Sequence, residues 1–369
     1  MGPPFRADHV GSLLRPPELL AARERAERGE IDRDALQTIE DEAIGAAVKL
    51  QEDVGLKSIT DGEFRRTYFH VDFLEQIGGV AVEWSGMASK FHREDGDLDF
   101  APPRLKITGK LSHARPIMAR DFAFLAGATR ETPKVTIPSP SMAHFRGGRS
   151  AIDAGAYPDM QQFFDDLAAV YREEIADLAA RGCRYLQLDD TNLAYLCDPA
   201  LRAGARERGD DPDELPRAYA RLINDSLRDA PDDMMTAIHL CRGNFRSAWI
   251  AEGGYDPVAD VLFNEIDVGS FFLEYDTGRS GDFTPLRYVP LGKYVVLGLV
   301  SSKNPTLESK DELKRRIDEA AKLAPIEQLC ISPQCGFSST VHGNDIGFDD
   351  QRRKLELCVE VAHEVWGEA

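Results

Sequence analysis

The stretch TAIHLCRGNF (236–245) sets a histidine and a cysteine one residue apart, just after a short apolar run. A strand presents residues i and i+2 on the same face, so His239 and Cys241 would aim an imidazole and a thiol the same way. That is half of a metal site. Two other runs offer the other half: FFLEYD, where Glu274 follows three apolar residues, and SPQCGF, where Cys335 precedes a glycine. A carboxylate in so apolar a run needs a buried partner. One imidazole, two thiolates and a carboxylate suit tetrahedral zinc better than magnesium, calcium or an iron–sulfur cluster. Three anionic ligands make zinc a mild Lewis acid, better at holding a substrate thiol as a thiolate than at activating water. A free thiol, with a pKa of about 8.5, is mostly protonated at neutral pH, and coordination deprotonates it. Taken singly, His239 also reads as a hydrogen-bonded core histidine and Cys335 as a small buried residue before a turn. Cys330 reads as core filler.

Glu63 in TDGEF, with Asp189 and Asp190 in LQLDD, forms a second constellation. Paired carboxylates serve as a general acid and base, as a magnesium site, or as a clamp for an ammonium group. Beside a zinc thiolate the clamp fits best, because an amino-acid thiol brings a positive amine. The alternative for Asp190 is capping of the turn that DDTNL begins. Gly11 and Ser12 in HVGS offer backbone amides and a hydroxyl to a substrate carboxylate. His9 and His144 are candidates for proton handling. Arg6, Arg15, Arg65, Arg66 and His70 fall close to these motifs, and FRRTYFH (64–70) is placed to reach a carboxylate or a polyanionic donor.

Eight short apolar runs must position these residues: HVGSLL (9–14), LKSITDGE (56–63), KVTIPSP (134–140), YLQLDD (185–190), MTAIHLC (235–241), SFFLEYD (270–276), VVLGLVS (295–301) and LCISPQC (329–335). Their near-continuous apolarity suits parallel strands covered on both faces. Amphipathic stretches alternate with them, among them DRDALQTIEDEAIGAAVKLQEDVG and DMQQFFDDLAAVYREEIADLAARG, each closed by a glycine. TLESKDELKRRIDEAAKLAP and FDDQRRKLELCVEVAHEVW follow the same pattern. The expectation is an α/β protein, a (β/α)8 TIM barrel, with an open doubly wound sheet as the second choice. In a barrel, catalytic groups gather at the carboxyl ends of the strands, and most of the candidates fall at such ends. Residues 77–113 break the rhythm and read as an antiparallel hairpin inserted between the second and third strands. The chain is taken as a single catalytic domain, 1–369.

The formal charge of −19 over 369 residues works against sequence-independent binding to nucleic acid or to an anionic membrane. No run has the length and apolarity of a signal peptide or a membrane span, so the expectation is a cytoplasmic protein. Its six scattered cysteines then read as thiols. A homo-oligomer is compatible with all of this.

In chain order, HVGSLLRP, TDGEF, LQLDD, HLC, LEYD and SPQCG resemble the cobalamin-independent methionine synthase family, in particular its C-terminal catalytic barrel and the short stand-alone members. The resemblance spans nearly the whole chain. It implies zinc held by His239, Cys241, Glu274 and Cys335, with the homocysteine amine at Glu63 and Asp189 and its carboxylate near Gly11 and Ser12. It further implies transfer of a methyl group to the zinc-bound homocysteine thiolate, giving methionine. Two departures concern the donor. The family's histidine that helps protonate the leaving folate nitrogen aligns with Val300 or Ser301. Its folate-stacking tryptophan is replaced by PSPSMAHFRGG, where His144 and Phe145 stand. The donor is therefore methyltetrahydrofolate, a corrinoid-bound methyl group on a partner protein, or another methyl compound. The same family includes enzymes that add a thiol such as coenzyme M to an epoxide, but a sulfonate calls for basic residues where Glu63 and Asp189 stand. A non-enzymatic zinc-binding barrel is the third reading, and an ammonium clamp beside the metal argues against it.

Overall fold

The computed structural model describes residues 2–84, 89–93 and 96–369. Its strands, in chain order, are β1 (Ser58–Ile59), β2 (Gly78–Glu83), β3 (Ser89–Phe91), β4 (Leu98–Phe100), β5 (Arg104–Ser112), β6 (Thr132–Pro133), β7 (Val135–Pro138), β8 (Tyr185–Asp190), β9 (Met235–Leu240), β10 (Ser270–Glu274), β11 (Tyr294–Val300) and β12 (Leu329–Pro333). Six of them form one parallel sheet in the order β12-β11-β10-β9-β8-β7. β8, β10 and β12 are buried along their whole length, as their continuous apolarity requires. Helices make up most of the crossovers, so the fold is α/β with a parallel sheet.

Both edges of this sheet continue. At one edge, β6 runs into β7 through Lys134 and pairs in parallel with β1. At the other, Ala7 bridges Ile331 of β12 in parallel, with Asp8 N–H donating to the Ile331 carbonyl at 3.0 Å. The run 9–14, expected to be a strand, is instead extended chain tied mainly by side chains. Thr60 Oγ1 donates to the Gly11 carbonyl at 2.6 Å, and a His9 ring nitrogen meets the Ser58 carbonyl at 3.1 Å. Gly11 explains the loss of regular pairing. Its φ is +137°, and a Cβ there would come within 2.8 Å of the Thr136 methyl.

The helices begin and end where the capping chemistry dictates. Asp32 accepts from Ala35 N–H at the start of helix Arg33–Asp53, and Asp159 accepts from Gln161 N–H at the start of Met160–Ala180. Gly55 and Gly182, both at positive φ, follow their ends. Helix Met160–Ala180 buries Phe163, Leu167, Tyr171, Ile175 and Leu178 at helical spacing. Each such side chain contributes about 1.5–3 kcal/mol of transfer free energy to the fold. Lys310–Ala320, capped by Ser309, and Phe348–Trp366, closed by Gly367, are the other two expected helices.

Within 77–113, β2 pairs antiparallel with β5, and β3 with β4. Residues 85–88 and 94–95 of that stretch lie outside the described residues. The β3–β4 pair reaches the segment after β9: His92 and Trp249 exchange backbone hydrogen bonds, and Phe91 packs with Phe245 and Ala248.

Deep between the strands, Cys330 packs with Val10, Tyr185, Ala237, Phe272 and Val296. Burial pushes its thiol up to about 12, so it is inert filler. Beside this cluster lies a buried ion pair. Lys134 Nζ sits 3.1 Å from Asp8 and 4.0 Å from the centre of the Phe272 ring. Tyr185 and Ser58 hydroxyls, each at 2.7 Å, complete the Asp8 carboxylate. Hydrogen bonds to both carboxylate oxygens are what make so deep a charge tolerable.

Candidate metal centre

His239 lies in β9 directly beside Asp189 of β8 on one flank and Phe272 of β10 on the other. Cys241 follows it by two residues and is held by its own N–H on the Asp190 carbonyl at 2.8 Å. Glu274 ends β10, and Cys335 follows β12. The four side chains, all buried, bring ligand atoms within 4.8 Å of one another. The two sulfurs are 3.4 Å apart. Ligands about 2.0–2.3 Å from a shared tetrahedral ion stand roughly 3.3–3.8 Å from each other, so this spacing accommodates one.

The hydrogen bonding also fits. His239 Nδ1 meets the Phe272 carbonyl at 3.2 Å, which sets the tautomer and turns Nε2 inward, where it is buried with no hydrogen-bond partner. Glu274 is completely buried. Its Oε1 accepts from Arg242 N–H at 3.0 Å and its Oε2 from Arg279 Nη2 at 2.9 Å. Burial alone would raise this carboxyl, but Arg279, Lys303 and His239 outweigh it and hold Glu274 below the usual range. The sulfurs divide a proton between them. A hydrogen bond from Cys241 holds Cys335 well below an ordinary thiol, and the same bond with burial drives Cys241 well above one. A metal held by both sulfurs requires both as thiolates, so its binding would release a proton.

Against this cluster lies a cavity of about 280 Å³ lined by Ser12, Glu63, Phe69, Asp189, His239, Cys241, Cys335 and Ser339. Glu63 Oε1 accepts from Thr136 Oγ1 at 2.9 Å, whereas Oε2 is buried without a partner. Arg66 stands 3.7 Å from the carboxylate. Burial raises Glu63, and burial together with the Glu63 charge raises Asp189 to about 7. Two buried carboxyls facing one small space are incompletely satisfied by the protein, as a clamp awaiting an ammonium group would be. Glu63 sits at φ +60°, a strained conformation for a residue with a Cβ, fixed by Asp61 accepting its N–H and by Arg15 and Arg66 donating to its carbonyl. Ser12 reaches the same cavity because residue 336 is glycine: a Cβ there would collide with the Ser12 hydroxyl.

A second cavity, of about 440 Å³, shares Phe69, Cys241 and Ser339 with the first. Its walls are aromatic: Tyr68, Phe91, Phe100, Tyr195 and Phe245. Phe100 of β4 stacks on Phe245 with ring centres 3.9 Å apart and planes 11° from parallel. His70, Arg146, Thr191, Asn244, Ser339 and Thr340 are among its polar members. Thus the stretch 77–113, read from the sequence as a hairpin insertion with no role, supplies one wall of a cavity that reaches Cys241. The two phenylalanines that bracket the polar run FHREDGDLDF were the available signal.

Not every predicted residue arrives there. His9 is buried beside Lys134, and burial followed by that charge pushes it down to about 4. His144 bonds Tyr219 at 2.9 Å and packs on Phe164. Neither lines the two cavities. Asp190 accepts from Ser141 and from Leu193 N–H, the capping role weighed for it above. Arg6 holds carbonyls of Glu327 and Leu329, Arg15 those of Ser338 and Glu63, and Arg65 pairs with Asp41. Of Arg65, Arg66 and His70 in FRRTYFH, His70 alone lines the aromatic cavity. Sequence reasoning missed Arg279 and Lys303, the buried cations around Glu274.

The class is an α/β protein whose parallel sheet gathers an imidazole, two thiols and a carboxylate, at or just after its strand ends, into a group that could hold a metal ion. The family model described as the catalytic domain of cobalamin-independent synthase matches residues 5–364, and the chain belongs to that family. It is 43% identical to the uncharacterized protein YxjH of Bacillus subtilis, over 98% of this chain and 95% of that one. It is 27% identical to a methionine synthase of Pyrococcus abyssi, covering 89% and 85%. Among solved structures, a Listeria monocytogenes protein provisionally named a vitamin-B12-independent methionine synthase superimposes with a TM-score of 0.79 at 37% identity, covering 99% of both chains. A B12-independent methionine synthase of a Shewanella species, solved with selenomethionine, has the same fold at a TM-score of 0.72 and 18% identity.

Proposed function

We propose that this chain transfers a methyl group to the thiol of homocysteine, giving methionine, with zinc held by His239, Cys241, Glu274 and Cys335. The observation that carries the reading is the meeting of two unlike cavities at Cys241: one lined by carboxyls, the other by aromatic rings. A bound zinc would keep the substrate thiol deprotonated and nucleophilic at neutral pH. The rest is positioning. Glu63 and Asp189 hold the substrate amine, and the amides and hydroxyl of Gly11 and Ser12 receive its carboxylate. The sulfur is thereby directed toward the aromatic side, from which the methyl group comes. Holding both reactants in line contributes several kcal/mol to lowering the barrier.

The same proposal closes the sheet. The extended run at Ala7, β1, β6 with β7, and β8 to β12 make a (β/α)8 barrel, one catalytic unit of 1–369 with 77–113 inserted after its second strand. Its substrates are small molecules, and its place is the cytoplasm. Addition of a thiol such as coenzyme M to an epoxide fits less well, because buried carboxyls in the acceptor cavity repel a sulfonate. Among the described residues no helix is long and apolar enough to cross a membrane.

The test is titration of the zinc-loaded protein with L-homocysteine, following proton release and the zinc X-ray absorption edge. A released proton with a new sulfur neighbour is expected. Bound zinc that does not respond to homocysteine sinks the reading and moves the search to another thiol.

A further inference from the structure

The carboxyl-lined cavity has a full set of groups for an amino-acid thiol, whereas the aromatic side has few polar groups to meet the compound that gives up the methyl. Asn244 is committed: its amide donates to the Gly336 carbonyl at 2.9 Å and accepts from Lys303 at 2.9 Å. Thr191 donates to its neighbour Asn192. His70 is different. Its side chain is 4% exposed, its ring lies 4.6 Å from that of Phe69, and its Nδ1 is buried with no hydrogen-bond partner. The ring borders two adjoining spaces, the aromatic cavity and a second one lined by Arg104, Met142 and Arg146. A buried polar atom without a partner is costly, so a ring kept in this state at a cavity wall awaits a ligand.

Resting on the methyl-transfer reading above, we propose that His70 is a catalytic residue on the donor side: its imidazole N–H hydrogen-bonds the atom X from which the methyl group departs, X being nitrogen or oxygen. In the step, a sulfur lone pair forms the S–CH3 bond and the electron pair of the CH3–X bond stays on X. X then takes one proton from water, and the imidazole keeps its own. The hydrogen bond strengthens as charge builds on X, so it favours the transition state over the bound donor. Arg146, in the same cavity, adds positive charge where that charge develops. Burial, reinforced by Arg146, lowers the His70 imidazole well below its ordinary range, so the ring is neutral and offers one N–H and one lone pair. A neutral imidazole kept so by its surroundings is a known kind of electrophilic partner for a developing oxyanion. A corrinoid donor, whose electron pair remains on cobalt, has no use for such a bond.

The experiment uses the zinc-loaded protein, 13C-labelled homocysteine, and small-molecule extract of a bacterium without methionine synthase activity as the donor source. Labelled methionine is read by mass spectrometry. His70→Phe should lower kcat roughly 10²-fold, the usual loss for one such donor group, with zinc content and homocysteine-driven proton release unchanged. His70→Asn, which restores an N–H near the Nδ1 position, should recover at least about tenfold of that loss. If phenylalanine prevents folding, His70→Leu carries the same comparison. Undiminished kcat in a folded His70→Phe or His70→Leu protein overturns the proposal, as does an asparagine variant no better than either. A wild-type protein that binds homocysteine but forms no labelled methionine from these small molecules overturns this role and leaves methyl transfer only to a protein-bound donor such as a corrinoid.

Discussion

The carboxyl-lined cavity and the aromatic cavity share Phe69, Cys241 and Ser339 but are assembled in different ways. The first is built at the ends of parallel strands and the turns directly after them, from buried groups held by backbone hydrogen bonds. The second borrows Phe91 and Phe100 from two short antiparallel strands and stacks them on Phe245, far away in sequence. Side chains on a parallel sheet are fixed by register: Asp189 must stand beside His239 because β8 and β9 pair there. Rings contributed by an insertion are fixed only by their packing on one another. The acceptor side should therefore fail sharply when a single group is changed, and the donor side by degrees.

Removing what both cavities share should have the largest effect. Cys241→Ala is expected to reduce zinc content to background and abolish methionine formation, read by elemental analysis and by product assay. Glu63→Ala strikes the acceptor side alone. Loss of one partner of a buried charge pair typically costs about 2–5 kcal/mol, so the homocysteine Kd should rise by roughly 30-fold or more while zinc stays bound. Arg279→Met leaves all four ligands in place but frees Glu274 Oε2. A drop of about 10- to 100-fold in zinc affinity is expected, measured by competition with a chelator. Phe245→Ala should act on the donor side only, raising the KM for the donor about tenfold or less through lost stacking, with homocysteine binding intact. Equal damage by Phe245→Ala to homocysteine binding would erase the distinction between the two sides.

The finest test is titration of Asp189. Its carboxyl is raised to about 7, so homocysteine affinity should climb as pH passes through that value and the carboxylate forms. The sign for stability is opposite. Between about 4 and 7 the folded chain holds a proton that the unfolded chain has released, so stability falls as pH rises through this window. Asp189→Asn should flatten both dependences, seen in homocysteine titrations and in thermal melts at pH 5 and pH 8.

The same contrast explains what could be read from the sequence. His239, Cys241, Glu274 and Cys335 were legible because each falls at or just after the end of an apolar run, where a parallel sheet leaves its reactive groups. The four principal helices were legible through apolar spacing, and two of them also through Gly55 and Gly182 just past their ends. The run at 9–14 misled, because Gly11 reads as an ordinary turn residue while its contact with Thr136 depends on the folded chain. The choice among histidines misled as well: His9, His70 and His144 look alike in sequence, and only packing separates one beside a buried lysine, one on a tyrosine hydroxyl and one with a ring nitrogen unpaired at a cavity wall. Arg279 is recognisable only once Glu274 is known to need a counter-charge.

Glu63 carries a cost that a thermal assay would register before an enzyme assay did. At φ +60° a glutamate is held in a backbone shape that glycine adopts freely, a difference of about 1–2 kcal/mol. A library of this protein screened for heat resistance alone would drift toward Glu63→Gly, and each survivor would be a sturdier scaffold that no longer takes hold of its amino acid.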